Sequence, residues 1–364
     1  MRRLFENLAL SGASVLLVLL AAEAGLRIAG YEPAAYWRTD RVANGRRTVL
    51  LDCYPLNPRG YFDIDLRDPV TRERYRQMGV NGVDRMLPRT PFAVERRYNS
   101  LRFRGPEIPP KRPGIARVAV IGDSFTEGMG VKEEDAYPRV LDRLLRGEAV
   151  EVLNCGRRGY DFPSLYDLFE EVLALDPDVV VYGMVLNDAD RSPSLDARDK
   201  SLNDWIRDRG PLASDVPLPP LGFFDLRAVD FVRDRIGSYR LGRDTTRWYR
   251  ELYGEANRAG WERTEGFIRA MSRRMGERGG RFLVALWPLF VELDHYPFAD
   301  LEAEISRFGL AAGIPLQPLR PAFRGRRTET LWVDPADHHP NEIAHRLAAE
   351  RLLPSVRGLA RPGS

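Results

Sequence analysis

A short apolar run that stops abruptly at a glycine constrains the fold of this chain more than any other stretch. Residues 118–121 read Val-Ala-Val-Ile, and Gly122, Asp123 and Ser124 follow at once. Such a run predicts a parallel strand buried on both faces. Ser124 then lies just past the carboxyl end of that strand, where open α/β sheets place their reactive groups. Taken alone, the same residues also fit an ordinary strand-to-helix turn in which Ser124 caps the helix.

Short apolar runs and amphipathic helical patterns alternate from this strand to the end of the chain. Further strands are predicted over 150–153, 179–185, 281–287 and 314–318, and helices over 137–145, 163–175, 245–276 (as one helix or two) and 341–353. Strands that alternate with helices predict a parallel sheet with helices on both faces. We therefore predict an α/β fold, a three-layer αβα sandwich whose five-stranded parallel sheet has the flavodoxin-like order 2-1-3-4-5.

The first 30 residues have the pattern of a membrane-targeting segment. Arg2 and Arg3 precede an uncharged run over 7–22 that is rich in Leu, Val and Ala. Basic residues before an apolar run predict a cytoplasmic N-terminus and an exported remainder. We predict an uncleaved signal anchor over 1–30 that forms an N-terminal membrane helix. The alternative is a cleaved signal peptide, because Ala22-Glu23-Ala24 resembles a cleavage site.

The rest of the chain is predicted to comprise an extension and a main domain. Residues 31–112 are polar, arginine-rich and interrupted by Pro and Gly, which predicts an irregular extension packed on the main domain. The main domain is predicted over 113–358, with a charged insertion at about 189–243. A loop of that length is often functional, so the insertion is either a flap over a substrate cleft or a packed decoration.

Composition excludes two classes of function. The 364 residues carry a formal net charge of only +3 and no basic block, so no nucleic-acid partner is expected. The two cysteines, Cys53 and Cys155, have no metal-binding spacing, and no metal is expected.

Polar residues and glycines follow each of the first three predicted strands. Ser124 follows the first, residues 154–159 follow the second, and Asn187 and Asp188 follow the third. In the predicted sheet order these strand ends are neighbours beside the topological switch point. Glycine N–H groups and an asparagine amide could hold an oxyanion there, together with the Ser124 N–H.

A serine nucleophile needs a base, and the histidines of the chain are concentrated in one place. Three of the four histidines, at 338, 339 and 345, lie close to Asp334 and Asp337, just before the final helix. A carboxylate beside an imidazole can orient it as a general base. Two pairings are open, Asp337 with His339 and Asp334 with His338. In isolation the segment also fits a solvent-facing loop with Asn341 as the helix N-cap.

Taken together, these blocks resemble the SGNH, or GDSL-type, hydrolase superfamily. Gly122-Asp123-Ser124 matches its first block, and residues 154–159 resemble its second, whose glycine would be Gly159. Residues 183–188 resemble the third block, in which Asn187 would be the oxyanion-hole amide, although the usual Gly-x-Asn-Asp spacing is stretched here.

The last block departs from the usual Asp-x-x-His of this superfamily. Residues 337–340 read Asp-His-His-Pro, which is similar to the Asp-x-His form of some relatives that act on exported polysaccharides. The resemblance implies Ser124 as nucleophile, His339 as base and Asp337 as the orienting carboxylate. It also implies an oxyanion hole built from Ser124, Gly159 and Asn187, with no cofactor.

The resemblance implies a serine esterase anchored in a membrane, with its catalytic domain on the extracytoplasmic, periplasmic side. The expected substrate is an O-acyl ester, with acetyl as the expected group, on an exported glycan or lipid. Two alternatives remain open from the sequence. One is an O-acyltransferase of an envelope polysaccharide, because hydrolysis and transfer share an acyl-enzyme. The other is a catalytically dead scaffold protein of an envelope-polysaccharide pathway.

Overall fold

The short apolar runs form a five-stranded parallel sheet in the computed structural model, which describes residues 2–30, 97–195, 226–334 and 337–361. The strands are β1 (Ala116–Gly122), β2 (Val150–Gly156), β3 (Val179–Met184), β4 (Arg281–Leu286) and β5 (Leu316–Pro318). Their order across the sheet is β2-β1-β3-β4-β5, so the predicted order is confirmed.

Several of the described helices pack on this sheet. Those described are α1 (Arg2–Ile28), α2 (Ser124–Glu127), α3 (Tyr137–Leu144), α4 (Ser164–Leu173), α5 (Arg227–Glu251), α6 (Arg258–Glu277), α7 (Ala299–Ala311) and α8 (Glu342–Ala360). Helices α3 and α8 pack together, and α4 packs with α6. Strand β3 is buried at every residue, which requires cover on both of its faces. The predicted α/β architecture is confirmed.

Four helices, α5 to α8, differ from the prediction. The segment predicted as one or two helices over 245–276 forms two, α5 and α6, which are separated around the buried Asn257. Helix α7 was not predicted, although its buried Leu301, Ile305 and Phe308 have helical spacing. Helix α8 continues past Pro354, where the prediction ended it, because its last turns are buried.

A short antiparallel hairpin precedes α8. Its strands are β6 (Trp332–Asp334) and β7 (Asp337–Pro340), with Trp332 paired to Pro340. Asn341 ends the hairpin and caps α8, since its side-chain oxygen accepts from the N–H groups of Ile343 and Ala344 at 3.1 Å each. The hairpin therefore joins the helix in a fixed geometry.

The chain divides into two compact units. Among the described residues, the first unit contains 2–30 and 226–245, and the second contains 97–195, 246–334 and 337–361. Helix α1 is long and apolar enough over Leu10–Ile28 to cross a membrane. Most of the predicted extension at 31–112, and of the predicted insertion at 189–243, lies outside the described residues. The predicted domain limits stay predictions.

Candidate active site

Ser124 is the first residue of α2, immediately after β1. Asp123 is the N-cap of this helix, and its Oδ1 accepts from the Phe125 N–H at 2.9 Å. Ser124 is half-buried, whereas Asp123 and Phe125 are buried on either side of it. Because Ser124 opens the helix, its own N–H has no intrahelical acceptor. The turn therefore leaves both the hydroxyl and the N–H of Ser124 at the carboxyl edge of the sheet.

A row of three glycines lets α2 lie close to the sheet. Gly122 pairs with Gly156 of β2 on one side and with Gly183 of β3 on the other. A Cβ at Gly156 would collide with the backbone nitrogen of Glu127, and one at Gly122 would collide with the Thr126 hydroxyl. At Gly183 the same space is filled by Thr126 and by the Tyr137 hydroxyl. The glycines therefore set the height of the nucleophile turn above the sheet.

We expect Gly156→Ala to destabilise the protein, because the added methyl group meets backbone atoms that cannot rotate away. Overpacking of this kind costs about 1–3 kcal/mol. Gly266→Ala is the matched control, since a Cβ there has nothing within 4 Å and Gly266 lies in α6. Alanine in a helix is favoured over glycine by about 1 kcal/mol, so the control should gain stability. Urea unfolding of both variants checks this, and equal stabilities would contradict it.

His339 lies beside Ser124. Its Nε2 is 2.9 Å from the Ser124 Oγ, although the two residues are 215 positions apart in the chain. The ring is buried, with its centroid 5.4 Å from that of Phe125. If Nε2 is to accept the serine proton, the ring proton must be on Nδ1. The Asp123 carboxylate is the other acceptor near this hydroxyl, but it lies 3.5 Å away. The geometry thus favours His339 as the partner of Ser124.

The other clustered histidines face elsewhere. The His338 ring stacks on Trp332, with ring centroids 3.8 Å apart and planes 10° apart. His345 is buried in α8, where its Nδ1 accepts from the Tyr137 N–H at 3.2 Å. Burial lowers the pKa of His345 to about 3, so this ring is neutral at physiological pH. The structure therefore brings one of the three histidines to the serine.

The orienting carboxylate is a separate question. Asp337 begins β7, two residues before His339, so its backbone is part of the hairpin. Its side chain, like that of Asp334, lies outside the described part of the structure. The pairing of Asp337 with His339 stays a prediction.

Asn187 and Asp188 form a short turn after β3. The turn is a 3-10 helix over Leu186–Asp188, in which Asn187 is half-buried beside the Asp123 carboxylate. The buried Asp188 holds the turn closed: its Oδ2 accepts from the Val185 N–H at 2.9 Å and from the Tyr182 hydroxyl at 2.7 Å. Asp188 thus positions the loop, and Asn187 keeps its side chain near the nucleophile turn.

The two glycines of the second block have different roles. The Gly156 N–H donates to Asn154 Oδ1 at 3.0 Å, and Gly156 is needed for packing against α2. Gly159 has a φ of +75° with nothing near its missing Cβ, so a glycine is favoured there by backbone conformation. Within the described residues, the Gly159 N–H has no acceptor. Gly159 is therefore the better candidate for an oxyanion donor.

A buried glutamate ties the second block to the nucleophile helix. The carboxylate of Glu127, the last residue of α2, accepts from the Arg158 N–H at 3.0 Å and from the Tyr98 hydroxyl at 2.8 Å. These bonds fix the residue directly before Gly159. Glu127 could not be predicted as a site residue from the sequence, because its partners Tyr98 and Arg158 are 29 and 31 positions away in the chain.

Arg104, which was not predicted from the sequence as a site residue, supports the carboxyl end of α2. Its buried guanidinium donates to three backbone carbonyls at and beyond the end of α2, those of Glu127 at 3.4 Å, Gly128 at 2.5 Å and Val131 at 2.6 Å. A cation at the carboxyl end of a helix satisfies carbonyls that have no intrahelical donor. The only sequence signal was a charged residue next to Phe103 in the segment before β1. Arg104 therefore braces the turn that carries Ser124.

Asp123 has an altered acidity. Burial raises its pKa to about 6, against the opposing effects of the Phe125 N–H, His339 and Asn187. Between about pH 4 and pH 6 the folded protein therefore keeps a proton that the unfolded chain has lost. The free energy of unfolding then falls as the pH rises through this range.

Asp123→Asn should remove this dependence, because asparagine keeps an acceptor for the Phe125 N–H and does not titrate. Relative to the variant, the wild type should lose about 1.4 kcal/mol of stability per pH unit between about pH 4 and pH 6. Urea unfolding of both proteins from pH 4 to pH 7 measures the difference. Parallel profiles would contradict the raised pKa.

A match to a family model agrees with the four motifs found in the sequence. Residues 120–347 match the model of the GDSL-like lipase/acylhydrolase family. No curated protein matches the chain. Similar solved structures include a lipase/acylhydrolase from Enterococcus faecalis, at 14% identity and a TM-score of 0.38, covering 69% of this chain and 100% of that one. Another is a family two carbohydrate esterase from Cellvibrio japonicus, at 12% identity and a TM-score of 0.37, covering 70% of this chain and 64% of that one. Because the family match covers well over half of the sequence, the chain belongs to the GDSL-like lipase/acylhydrolase family of ester hydrolases.

Proposed function

We propose that this protein is a serine esterase that works through an acyl-enzyme on Ser124. The observation that carries the proposal is the 2.9 Å distance between the Ser124 Oγ and the His339 Nε2. That distance is within the range in which a base accepts the proton of a nucleophile. Ser124 is half-buried at the edge of the sheet, so an ester carbonyl can approach it from solvent.

The proposed reaction has two halves. His339 accepts the hydroxyl proton as the Ser124 Oγ attacks the carbonyl carbon, and the carbonyl oxygen becomes an oxyanion. The C–O bond to the alcohol then breaks, and His339 returns the proton to the leaving alkoxide. Water attacks the acyl-serine in the same way, and the acid and free Ser124 are released. Asp337 is proposed to hold the His339 ring in the correct tautomer.

The oxyanion is proposed to be held by three donors, the N–H groups of Ser124 and Gly159 and the side-chain amide of Asn187. Three observations support this set, one for each donor. The Ser124 N–H opens α2, and the Gly159 N–H has no acceptor within the described residues. Asn187 follows β3, which pairs directly with the strand that leads to Ser124. Loss of one such donor costs about two to three orders of magnitude in rate.

The proposed substrate is an O-acyl ester, with acetyl as the expected acyl group, on an exported glycan or lipid. An apolar N-terminal helix over Leu10–Ile28 supports a site of action at a membrane. The similarity of residues 337–340 to the Asp-x-His form supports a polysaccharide substrate. The protein is proposed to be anchored by α1, with the catalytic domain on the periplasmic side.

The proposal is tested by labelling the purified protein with a fluorophosphonate, followed by a panel of p-nitrophenyl esters of increasing acyl length. A serine esterase should be labelled once per chain and should hydrolyse at least the short esters. Acetylated polysaccharides then test the substrate class. If the folded protein is neither labelled nor active on any ester, the proposal that it is a serine esterase is rejected.

Membrane orientation gives a separate prediction. Arg2 and Arg3 precede the apolar helix, so the N-terminus should stay in the cytoplasm and the remainder should be exported. Alkaline phosphatase fused after Ser364 should therefore be active, because that reporter folds only outside the cytoplasm. A fusion at the same site to a reporter that works only in the cytoplasm is the control, and its activity would contradict the orientation.

A further inference from the structure

An exposed apolar stripe runs along the first turns of α5. Leu226, directly before the helix, and Val229, Val232 and Ile236 within it are 51%, 48%, 56% and 48% exposed. Their spacing of three, three and four residues places them on one face of the helix. Single exposed apolar residues are ordinary, but a continuous stripe on a protein surface marks a contact site. These four residues are called the α5 stripe below.

The α5 stripe begins where α5 contacts the apolar helix α1, within the same unit of the chain. The Ala228 N–H, in the first turn of α5, donates to Glu23 Oε2 at 2.8 Å. The other oxygen of Glu23 accepts from Arg27 at 2.6 Å. A carboxylate satisfies the free N–H groups at a helix N-terminus and complements the helix dipole. Glu23 therefore fixes the start of α5 against α1.

This contact sets the depth of the α5 stripe relative to a bilayer. The apolar helix over Leu10–Ile28 has 19 residues, and Glu23 lies five residues before its end. At 1.5 Å per residue, the helix spans about 28 Å, close to the thickness of a hydrocarbon core. Glu23 is then about 7 Å from the end of that span. The first turn of α5 thus lies within about 7 Å of the boundary between acyl chains and headgroups, a depth to which interfacial helices bury their apolar face.

The composition of the segment that carries the α5 stripe fits an anionic membrane surface. Residues 226–245 contain five arginines and three aspartates, a net charge of +2: Arg227, Arg233, Arg235, Arg240 and Arg243 against Asp230, Asp234 and Asp244. Arg243 is exposed and lies seven residues after Ile236, on the same face of the helix. Interfacial helices combine an apolar face with arginines that extend towards lipid headgroups.

We propose that the first half of α5 lies on the membrane surface, with the α5 stripe inserted at the boundary of a bilayer that contains anionic lipid. This inference rests on the proposed anchoring by α1. It adds a second membrane contact to the chain, beside the spanning helix. It also gives Glu23 a role, because the Glu23 carboxylate holds α5 at this depth. Cleavage after Ala24 would remove that carboxylate from the mature protein.

The test uses the full-length protein in vesicles of phosphatidylcholine and phosphatidylglycerol. Cys53 is replaced by serine, the buried Cys155 is kept, and single cysteines are introduced by Val232→Cys, Leu17→Cys or Leu310→Cys. Leu17 reports on α1, and Leu310 is a matched exposed apolar control on α7, at 84% exposure. Each cysteine carries an NBD fluorophore, and lipids with a nitroxide near the headgroup or deep in the chain quench it. Circular dichroism checks that each variant is folded, whether or not the protein is an esterase.

We expect the shallow nitroxide to quench the probe at 232 by roughly two-fold, the deep nitroxide to quench the probe at 17, and neither to quench the probe at 310. Quenching at 17 without quenching at 232 would overturn the inference and leave the anchor in place. An unquenched but blue-shifted probe at 232 would also overturn it, because a protein surface would then cover the stripe. No quenching at 17 would reject the proposed anchoring itself.

Discussion

Ser124→Ala is expected to abolish both fluorophosphonate labelling and ester turnover while leaving the fold unchanged. Alanine removes the only atom that could form the acyl-enzyme, the Oγ that lies 2.9 Å from His339. The small methyl group fits the half-buried position without a clash. Losses of a nucleophile in serine hydrolases reach about six orders of magnitude in turnover, because the remaining machinery has nothing to activate.

A matched control separates this effect from general damage. Ser164 is also half-buried and is also the first residue of a helix, α4. Ser164→Ala should keep wild-type labelling and turnover within a few-fold. Melting curves of both variants should match that of the wild type. Retention of labelling by Ser124→Ala would reject Ser124 as the nucleophile, whatever its distance from His339.

The sheet could be predicted from the sequence because its signals are local. Strand β3 is a nearly uninterrupted apolar run, and every residue of it is buried. The apolar pattern therefore predicts the buried strand directly. The ends of the helices were harder to predict. Pro354 lacks an N–H and predicts the end of a helix, but the burial of Val356 and Ala360 stabilises α8 beyond it. Tertiary contacts there outweigh the local preference.

The part of the candidate site that follows the strand ends could be predicted from the sheet order. The order of the sheet places the ends of β1, β2 and β3 side by side, so the residues that follow them could be proposed together. The residues that hold the nucleophile turn in place could not be predicted in this way. Tyr98 and Arg104 lie in an irregular segment, and their bonds to Glu127 follow no periodic pattern. Only the folded chain reveals such pairs.

The register of the last block is the feature that the sequence left open, and the hairpin favours one answer. His338 and His339 are neighbours in the extended strand β7, so their side chains point to opposite faces. On one face, His339 lies beside the Ser124 hydroxyl. On the other, the His338 ring stacks on Trp332, with ring centroids 3.8 Å apart. A single strand cannot present both rings to the nucleophile.

His339→Ala should therefore be nearly as damaging as Ser124→Ala, and His338→Ala should be mild. The first variant leaves Ser124 without a base, whereas the second removes a ring that stacks on Trp332 and does not face Ser124. Because the effects of substitutions within a catalytic unit are not additive, the double variant Ser124→Ala/His339→Ala should be about as slow as either single variant. Turnover of a short p-nitrophenyl ester, measured beside labelling rates, gives all of these comparisons.

Asp337→Asn extends the same prediction to the orienting carboxylate. If Asp337 fixes the His339 tautomer, the amide should lower turnover by about four orders of magnitude while the protein stays folded, because the ring then carries its proton on the nitrogen that should accept from Ser124. Asp334→Asn is the matched control in the other strand of the hairpin and should be mild. The opposite result, with His338→Ala and Asp334→Asn inactive and His339→Ala active, would assign the base to His338 and the carboxylate to Asp334.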